Sequence, residues 1–422
     1  MISLILFGTL AILLILTVPV GIALGIASVI SIFFISAIPT EGLIRDLVTS
    51  LDTFPLLAVP LFILAGELMS GGGISERLMN FGKVIVGNIT GGLAIVAVLT
   101  SMFFAAISGS GPATVAAVGG MMIPAMIKEG YDKKFATSVI VSAGSLGIII
   151  PPSIPMIMYG VSSQTSVGNM FLGGILPGIL IGAVMILWCY IYCKKKGYGA
   201  GAQKFTFKAF FTQLNNAKWA LLTPIIILGG IYSGKFTPTE AAVISVVYAV
   251  VISLFVYKEL SVKDLPRVIT KASLTSASVL IIISAATAFG KILTLEQIPT
   301  QVANALTTVS ENKLVILLLI TIMLLIVGMF MDTTAAVVIL TPILFPVAMQ
   351  LQIDPVHFGV MMIANLAIGF ITPPLGVNLF VGSGISGVGI PTLARAVTPF
   401  LISMLLTLIV IILVPLLSVI LI

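Results

Sequence analysis

Asp332 is a carboxylate set deep in an apolar stretch, "IVGMFMDTTAAVVILTPILFPVAM" (326–349), with Thr333 and Thr334 directly behind it. The nearest charges along the chain are Glu311 and Lys313 before it and Asp354 after it. An acidic side chain at that depth in hydrocarbon is costly and is read as functional by default. Three chemistries are open to it: ligating a cation, carrying a proton, or capping the helix that follows. A second polar cluster, Ser108, Ser110 and Thr114, lies in "SMFFAAISGSGPATVAAVGGMMIPAM" (101–126). Two proline pairs, Pro151-Pro152 and Pro373-Pro374, interrupt apolar stretches that otherwise read as helices. Proline lacks the N–H and clashes with the preceding turn, so each pair breaks its helix and frees carbonyls. In hydrocarbon such groups are tolerated only where protein or water satisfies them. Ser153 adjoins the first break, and Thr372 and Asn378 adjoin the second. Carbonyl and hydroxyl oxygens suit a hard cation such as sodium, and the helix N-termini beside the breaks suit a carboxylate.

Covalent catalysis finds no comparable constellation. Only Glu67 and Asp332 are carboxylates within spans, and they come from different depths, so no facing aspartate pair is expected. There is no HExxH, and "GSGPATVAAVGG" has no following Lys-Ser/Thr, so it is not a P-loop. Without a nucleotide motif, an ion gradient must supply the energy. Glu67 lies near a span end, where water or a headgroup can satisfy it, and His357 is expected to be solvated beside an outer loop. Cys189 and Cys193, one helical turn apart beside Lys194–Lys196, read as packing residues at a reducing, cytoplasmic span end.

A membrane chain must position these groups. Of its 422 residues, 59% are hydrophobic and 8% charged, against roughly 25% charged in a soluble domain. The mean hydropathy is +1.26. The pI of 9.3 would suit a nucleic-acid partner, but the basic residues sort by membrane side and no nucleic acid is expected. No Lys or Arg precedes Arg45, so the start reads as a mature span rather than a signal peptide. Apolar runs predict spans near 2–17, 20–38, 54–70 and 170–193, then near 219–234, 237–257, 272–292 and 397–421. Interrupted regions occupy 91–167 and 314–390, and a basic linker, 194–218, separates the halves.

Pro124, Pro151, Pro152 and Pro177 each meet a proline 222 residues later, as Asp132 meets Asp354, Gly147 meets Gly369 and Gly160 meets Gly382. An internal repeat of this kind is a transporter signature. The halves therefore divide as 1–193 and 219–422. Each is expected to hold scaffold spans, a re-entrant hairpin (91–127 and 314–350) and a broken helix (133–167 and 355–390). A hairpin returns to its own side, so each half crosses five times and the two are inverted. With the linker cytoplasmic, 16 of the 20 Lys and Arg fall inside and only Arg45, Lys235, Lys291 and Lys313 outside. Both termini then face outward, Trp188 and Trp219 flank the linker as interfacial anchors, and the hairpin tips (108–112 and 331–334) meet near the midplane.

The stretches "FPLLAVPLFILAGELM", "SGSGPATVAAVGGMMIPAM", "GIIIPPSIPMIMYG", "MDTTAAVVILTPILFP" and "GFITPPLGVNLFVGSG" resemble the large permease subunit of tripartite ATP-independent periplasmic (TRAP) transporters, over essentially the whole chain. The resemblance implies an all-α polytopic, elevator-type fold with a fixed scaffold and a moving transport domain, in a bacterial inner membrane. It implies sodium-driven import of an organic acid, of the C4-dicarboxylate or sialic acid class, and no enzymatic activity. A small four-helix membrane subunit and a periplasmic binding protein would be the partners. Two transported sodium ions are implied. One would use Ser108, Ser110 and carbonyls around Gly147 and Ile150; the other Asp332, Thr333 and carbonyls around Gly328 and Thr372. Substrate would lie near Thr114, Ser153 and Asn378. Ser110 and Asp332 are equivalent at the 222 offset, so the two ion sites need not be alike. A proton-coupled carrier using Asp332, or a non-transporting membrane scaffold, are the other readings of these residues.

Overall fold

The computed structural model describes residues 2–34, 40–86, 89–198, 206–310 and 312–422. The predicted span end at 35–38 and linker residues 199–205 lie outside these. Among the described residues the fold is helical, and nine helical segments are long and apolar enough to cross a membrane.

The chain begins with α1 (Ile2–Ile15), α2 (Val20–Ile32), α3 (Thr40–Thr49), and a 3-10 turn, Phe54–Leu57, that runs into α4 (Ala58–Gly71). α5 (Ile74–Val86) follows, then α6 (Gly92–Ser108) and α7 (Gly111–Lys128) as a tight hairpin. α8 (Lys133–Gly144), the single turn α9 (Leu146–Ile149) and α10 (Ile154–Ser163) form the first broken helix, and α11 (Val167–Lys196) closes the half. The second half comprises α12 (Phe207–Tyr232), α13 (Pro238–Val251), α14 (Leu265–Leu295) and α15 (Ile298–Val309). A second hairpin, α16 (Lys313–Phe330) and α17 (Thr333–Gln350), leads to the second broken helix, α18 (Pro355–Gly369) and α19 (Val377–Ser386). α20 (Ile390–Leu413) and the turn α21 (Leu416–Val419) end the chain.

The basic segment 194–218 is helical at both described ends, because α11 runs on to Lys196 and α12 starts at Phe207. α3, α5 and α15 are short amphipathic helices in stretches to which hydropathy assigns no span. The final span also differs from the expected 397–421: α20 stops at Leu413, before Pro415.

Element starts recur at the sequence offset: Gly111 and Thr333 open α7 and α17, Lys133 and Pro355 open α8 and α18. The aspartates found at that offset explain the second pair. Asp132 accepts from the N–H groups of Lys134 and Phe135 (2.9 and 3.1 Å), and Asp354 from those of Val356 and His357 (2.9 and 3.0 Å). Each N-cap satisfies backbone donors that a helix start leaves open.

The broken helices sit at the centre. Of the best apolar window in Lys133–Ser163, 94% is buried, against 33% for Lys313–Phe330 or Ile390–Leu413, whose outer faces are left to lipid. Within a bilayer, helix association rests on close packing by small residues. Gly328 on α16 lies directly against Gly369 at the end of α18, and Gly147 against Ser110 and Thr114. These glycines bring hairpin and break together in each half.

Candidate functional site

Gly109 adopts a left-handed conformation (φ +60°), which lets α6 end and the chain turn into α7 within two residues. The turn seats on the first break, where the N–H of Ile154 donates to Gly109 O (3.4 Å). Ser108 Oγ lies 3.1 Å from Thr114 Oγ1, Thr114 Oγ1 donates to Ser110 O (2.8 Å), and Ser110 caps α7 through Ala113 N–H (3.5 Å). A Cβ at Gly147 would come within 2.5 Å of Ser110 O and 2.7 Å of Thr114 Oγ1. Ser108, Ser110, Thr114 and Gly147 thus form one oxygen-rich cluster. Ile150 continues the break beyond it, with an extended backbone. Ser153 is buried and donates to Ile148 O (2.7 Å), occupying a carbonyl that the break would otherwise leave open. Both Pro-Pro bonds are cis.

At the second tip, Asp332 is the N-cap of α17 and its Oδ1 accepts from Thr334 N–H (2.8 Å). Asp332 is exposed, whereas Thr333 is buried and its hydroxyl has no hydrogen-bond partner. Gly328 packs on Leu366 and Gly369, and Thr372 turns its hydroxyl back to Ile368 O (2.8 Å). The two breaks differ: Pro151 and Pro152 are buried under the first tip, while Pro373, Pro374 and Leu375 are exposed.

The two tips share one cavity of about 60 Å³. Gly109, Ser110 and Pro112 line it from the first, Asp332, Thr333 and Thr334 from the second, with Ile148, Ile154, Pro155 and Phe370 between. It has room for a few water-sized ligands. Ser110, Asp332, Thr333 and Thr334 thus share the lining of one space, and the N-terminal end of α10 borders it. Thr114, Ser153 and Asn378 do not line it; neither do Gly147, Ile150, Gly328 and Thr372.

Asn378 makes a different connection. It is fully buried, and its Nδ2 reaches across the halves to Val141 O (3.2 Å) and Ser145 Oγ (3.4 Å) on or beside α8, while its Oδ1 has no partner. Ser145 and Asn365 are polar residues of this centre that sequence reasoning passed over. Asn365 is fully buried, donates to Met361 O (2.8 Å) and leaves its Oδ1 unpaired. The signal was available in "MMIANLAIGF": an amide four residues before Gly369, one turn below the second break.

His357 is not solvated. It is 2% exposed, and its Nδ1 lies 3.3 Å from Ser418 Oγ, because α21 folds over the start of α18. Glu67 finds a protein partner, Lys271 Nζ at 2.7 Å. Both cysteines are free thiols in the core, consistent with packing.

Residues 7–417 match the sequence profile of the family described as "DctM: Tripartite ATP-independent periplasmic transporter, DctM component". The isethionate TRAP transporter permease protein DctMQ of Oleidesulfovibrio alaskensis is 46% identical over 95% of this chain; the match spans 63% of that protein's length. The C4-dicarboxylate TRAP transporter large permease protein DctM of Pseudomonas aeruginosa is 41% identical over 94% of this chain and 92% of its own. The sialic acid TRAP transporter large permease protein SiaM of Vibrio cholerae is 39% identical over 91% and 90%. Among solved structures, the YdaH transporter of Alcanivorax borkumensis shares the fold, with a TM-score of 0.67 at 16% identity over 90% of this chain and 89% of that one.

Proposed function

Because the chain belongs to the DctM-component family of TRAP transporters, we propose that it is the large permease subunit of a sodium-coupled importer for a small organic acid. Its setting is the bacterial inner membrane. Its partners are a small four-helix membrane subunit and a periplasmic binding protein that delivers substrate. The relatives' names span isethionate, C4-dicarboxylates and sialic acid, so the common chemistry is an organic anion. The two halves are inverted, with five crossings each and both termini outward, and the hairpins and broken helices move as an elevator against the remaining spans.

One observation carries this reading: Asp332 and three hydroxyl residues, Ser110, Thr333 and Thr334, from two hairpin tips line a single small cavity beside the helix breaks. That donor set is the size and hardness of a sodium site. A cleft of about 410 Å³ supports the organic-acid assignment. It lies between α14, α10 and α17, and its lining includes Ser50, Ser162, Thr287, Thr294 and the exposed Lys291. Val338 and Pro342 in its wall lie about 8 and 14 Å along α17 from Thr333, at 1.5 Å per residue. Lys291 attracts the anion as it approaches. An exposed charge pair is worth up to about 1 kcal/mol. Lys291→Gln is therefore expected to raise the KM for uptake about two- to fivefold at unchanged kcat, with Lys291→Arg close to the parent. Equal KM values in parent and Lys291→Gln would remove Lys291 from the path.

Sodium dependence is tested first by melting the purified protein as sodium replaces potassium at constant ionic strength. A ligand that binds only the folded state, at 100 times its dissociation constant, adds about 2.7 kcal/mol. A sodium-specific rise is the expected result. No rise, together with pH-dependent uptake that ignores sodium, would replace the sodium ion with a proton on Asp332.

A further inference from the structure

A cavity of about 520 Å³, sharing no lining residue with the one at the hairpin tips, lies where α5, the start of α12 and the end of the α13 segment meet. We propose that it binds the headgroup of a zwitterionic aminophospholipid, phosphatidylethanolamine in chemical type, with the acyl chains running down the exposed face of α13.

The charges decide the class of headgroup. Glu76, Arg77, Lys218 and Glu259 line the cavity, two of each sign. Arg77 is already committed: its guanidinium donates to Glu259 (3.0 Å) and Gly73 O (2.9 Å) and stacks on Tyr257, 3.8 Å from the ring centre. That leaves one carboxylate, Glu76, and one ammonium, Lys218, facing the space. Lys218 spends one of its three N–H donors on Asn215 Oδ1 (2.9 Å). A zwitterion matches this pair, with phosphate toward Lys218 and amine toward Glu76. A headgroup of net negative charge would meet an uncompensated carboxylate.

The same residues select a primary amine over choline. Glu76 and the side-chain amides of Asn80, Gln213 and Asn216 offer acceptors to an ammonium. A quaternary ammonium has no N–H to give them and binds instead over aromatic faces. Here Tyr257 already carries Arg77, and Trp219 carries Lys218 at 5.3 Å.

The tails have a track that begins at the same cavity. Ile252–Val256 is a π-helical turn, closed by Tyr257 N–H donating to Ile252 O (2.8 Å). Wide turns of this kind recur at functional sites. This one brings Val256 and Tyr257 into the cavity wall. Behind it Val247, Val251 and Phe255 form an exposed ridge at four-residue spacing, 59%, 43% and 68% exposed. Trp219, 36% exposed at the rim, marks the headgroup level, where tryptophan is enriched.

The test is native mass spectrometry of the full chain in mild detergent, titrated with dioleoyl phosphatidylethanolamine, phosphatidylcholine and phosphatidylglycerol. Phosphatidylethanolamine is expected to be retained about tenfold over the other two, the scale of one charge-assisted hydrogen bond. Mono-, di- and trimethylation of the amine should lower retention in steps, a series that needs no variant. Glu76→Gln should abolish the preference over phosphatidylcholine, and Lys218→Gln should weaken both lipids. Equal retention of all three headgroups, or a flat methylation series, overturns the proposal. So does displacement by glycerophosphoethanolamine at equal concentration, which would leave the acyl track without a role.

Discussion

Gly369→Ala is expected to unseat the second hairpin and abolish transport, while Gly384→Ala, fifteen residues on, transports as the parent and melts no lower. A Cβ at Gly369 would overlap the backbone of Gly328, with Cα at 2.5 Å and O at 2.7 Å. Both partners are main chain, so no side chain can swing aside. Overpacking typically costs about 1–3 kcal/mol and occasionally more, and two helix backbones pressed together put this site at the upper end. Gly328→Ala meets the same wall from the other side, with Leu366 O at 3.1 Å and Gly369 Cα at 3.2 Å, and should be milder. At Gly384 nothing lies within 4 Å, and alanine favours a helix by about 1 kcal/mol. Thermal melting of the three variants checks this order. If Gly369→Ala melts with the parent, the contact between α16 and α18 is looser than its geometry implies.

That contact also shows what the sequence could and could not convey. The prolines and glycines at 222-residue spacing are local punctuation with fixed backbone consequences. The tips between 108 and 112 and between 331 and 334, and the breaks at Pro151-Pro152 and Pro373-Pro374, were therefore legible in advance. The same register paired Asp132 with Asp354, and the structure gives both the same role as caps of α8 and α18. α3, α5 and α15 escaped a reading keyed to continuous hydrophobicity because each carries only one apolar stripe. Partners distant in sequence had no local signal at all. Asn378 bonds to a carbonyl 237 residues away, and His357 is covered by a segment 61 residues on. Of the groups expected near substrate, Thr114 lies against Ser108 and Ser110, since a helical turn carries its hydroxyl back to Ser110 O. The lining of the cavity by both tips, Asp332 included, was the part of the centre that topology alone could anticipate.

Asp332→Asn should separate the two duties open to this side chain. As N-cap of α17 it accepts from Thr334 N–H at 2.8 Å, and asparagine caps as well as aspartate does. The asparagine variant should therefore melt like the parent in potassium. Asp332→Ala removes the cap as well, and should lose about 1 kcal/mol in potassium. If the carboxylate ligates sodium, both variants lose the sodium-dependent rise and coupled uptake together, because an amide oxygen brings no charge to offset the dehydrated ion. The exposed carboxylate at the cavity, beside the unpartnered hydroxyl of Thr333, is arranged for that role. A cap alone would show the opposite pattern: Asp332→Asn transporting at the parental rate with its sodium response intact, and only Asp332→Ala impaired. The asparagine variant in two salts thus decides whether this cavity-lining aspartate is kept for the helix or for the ion.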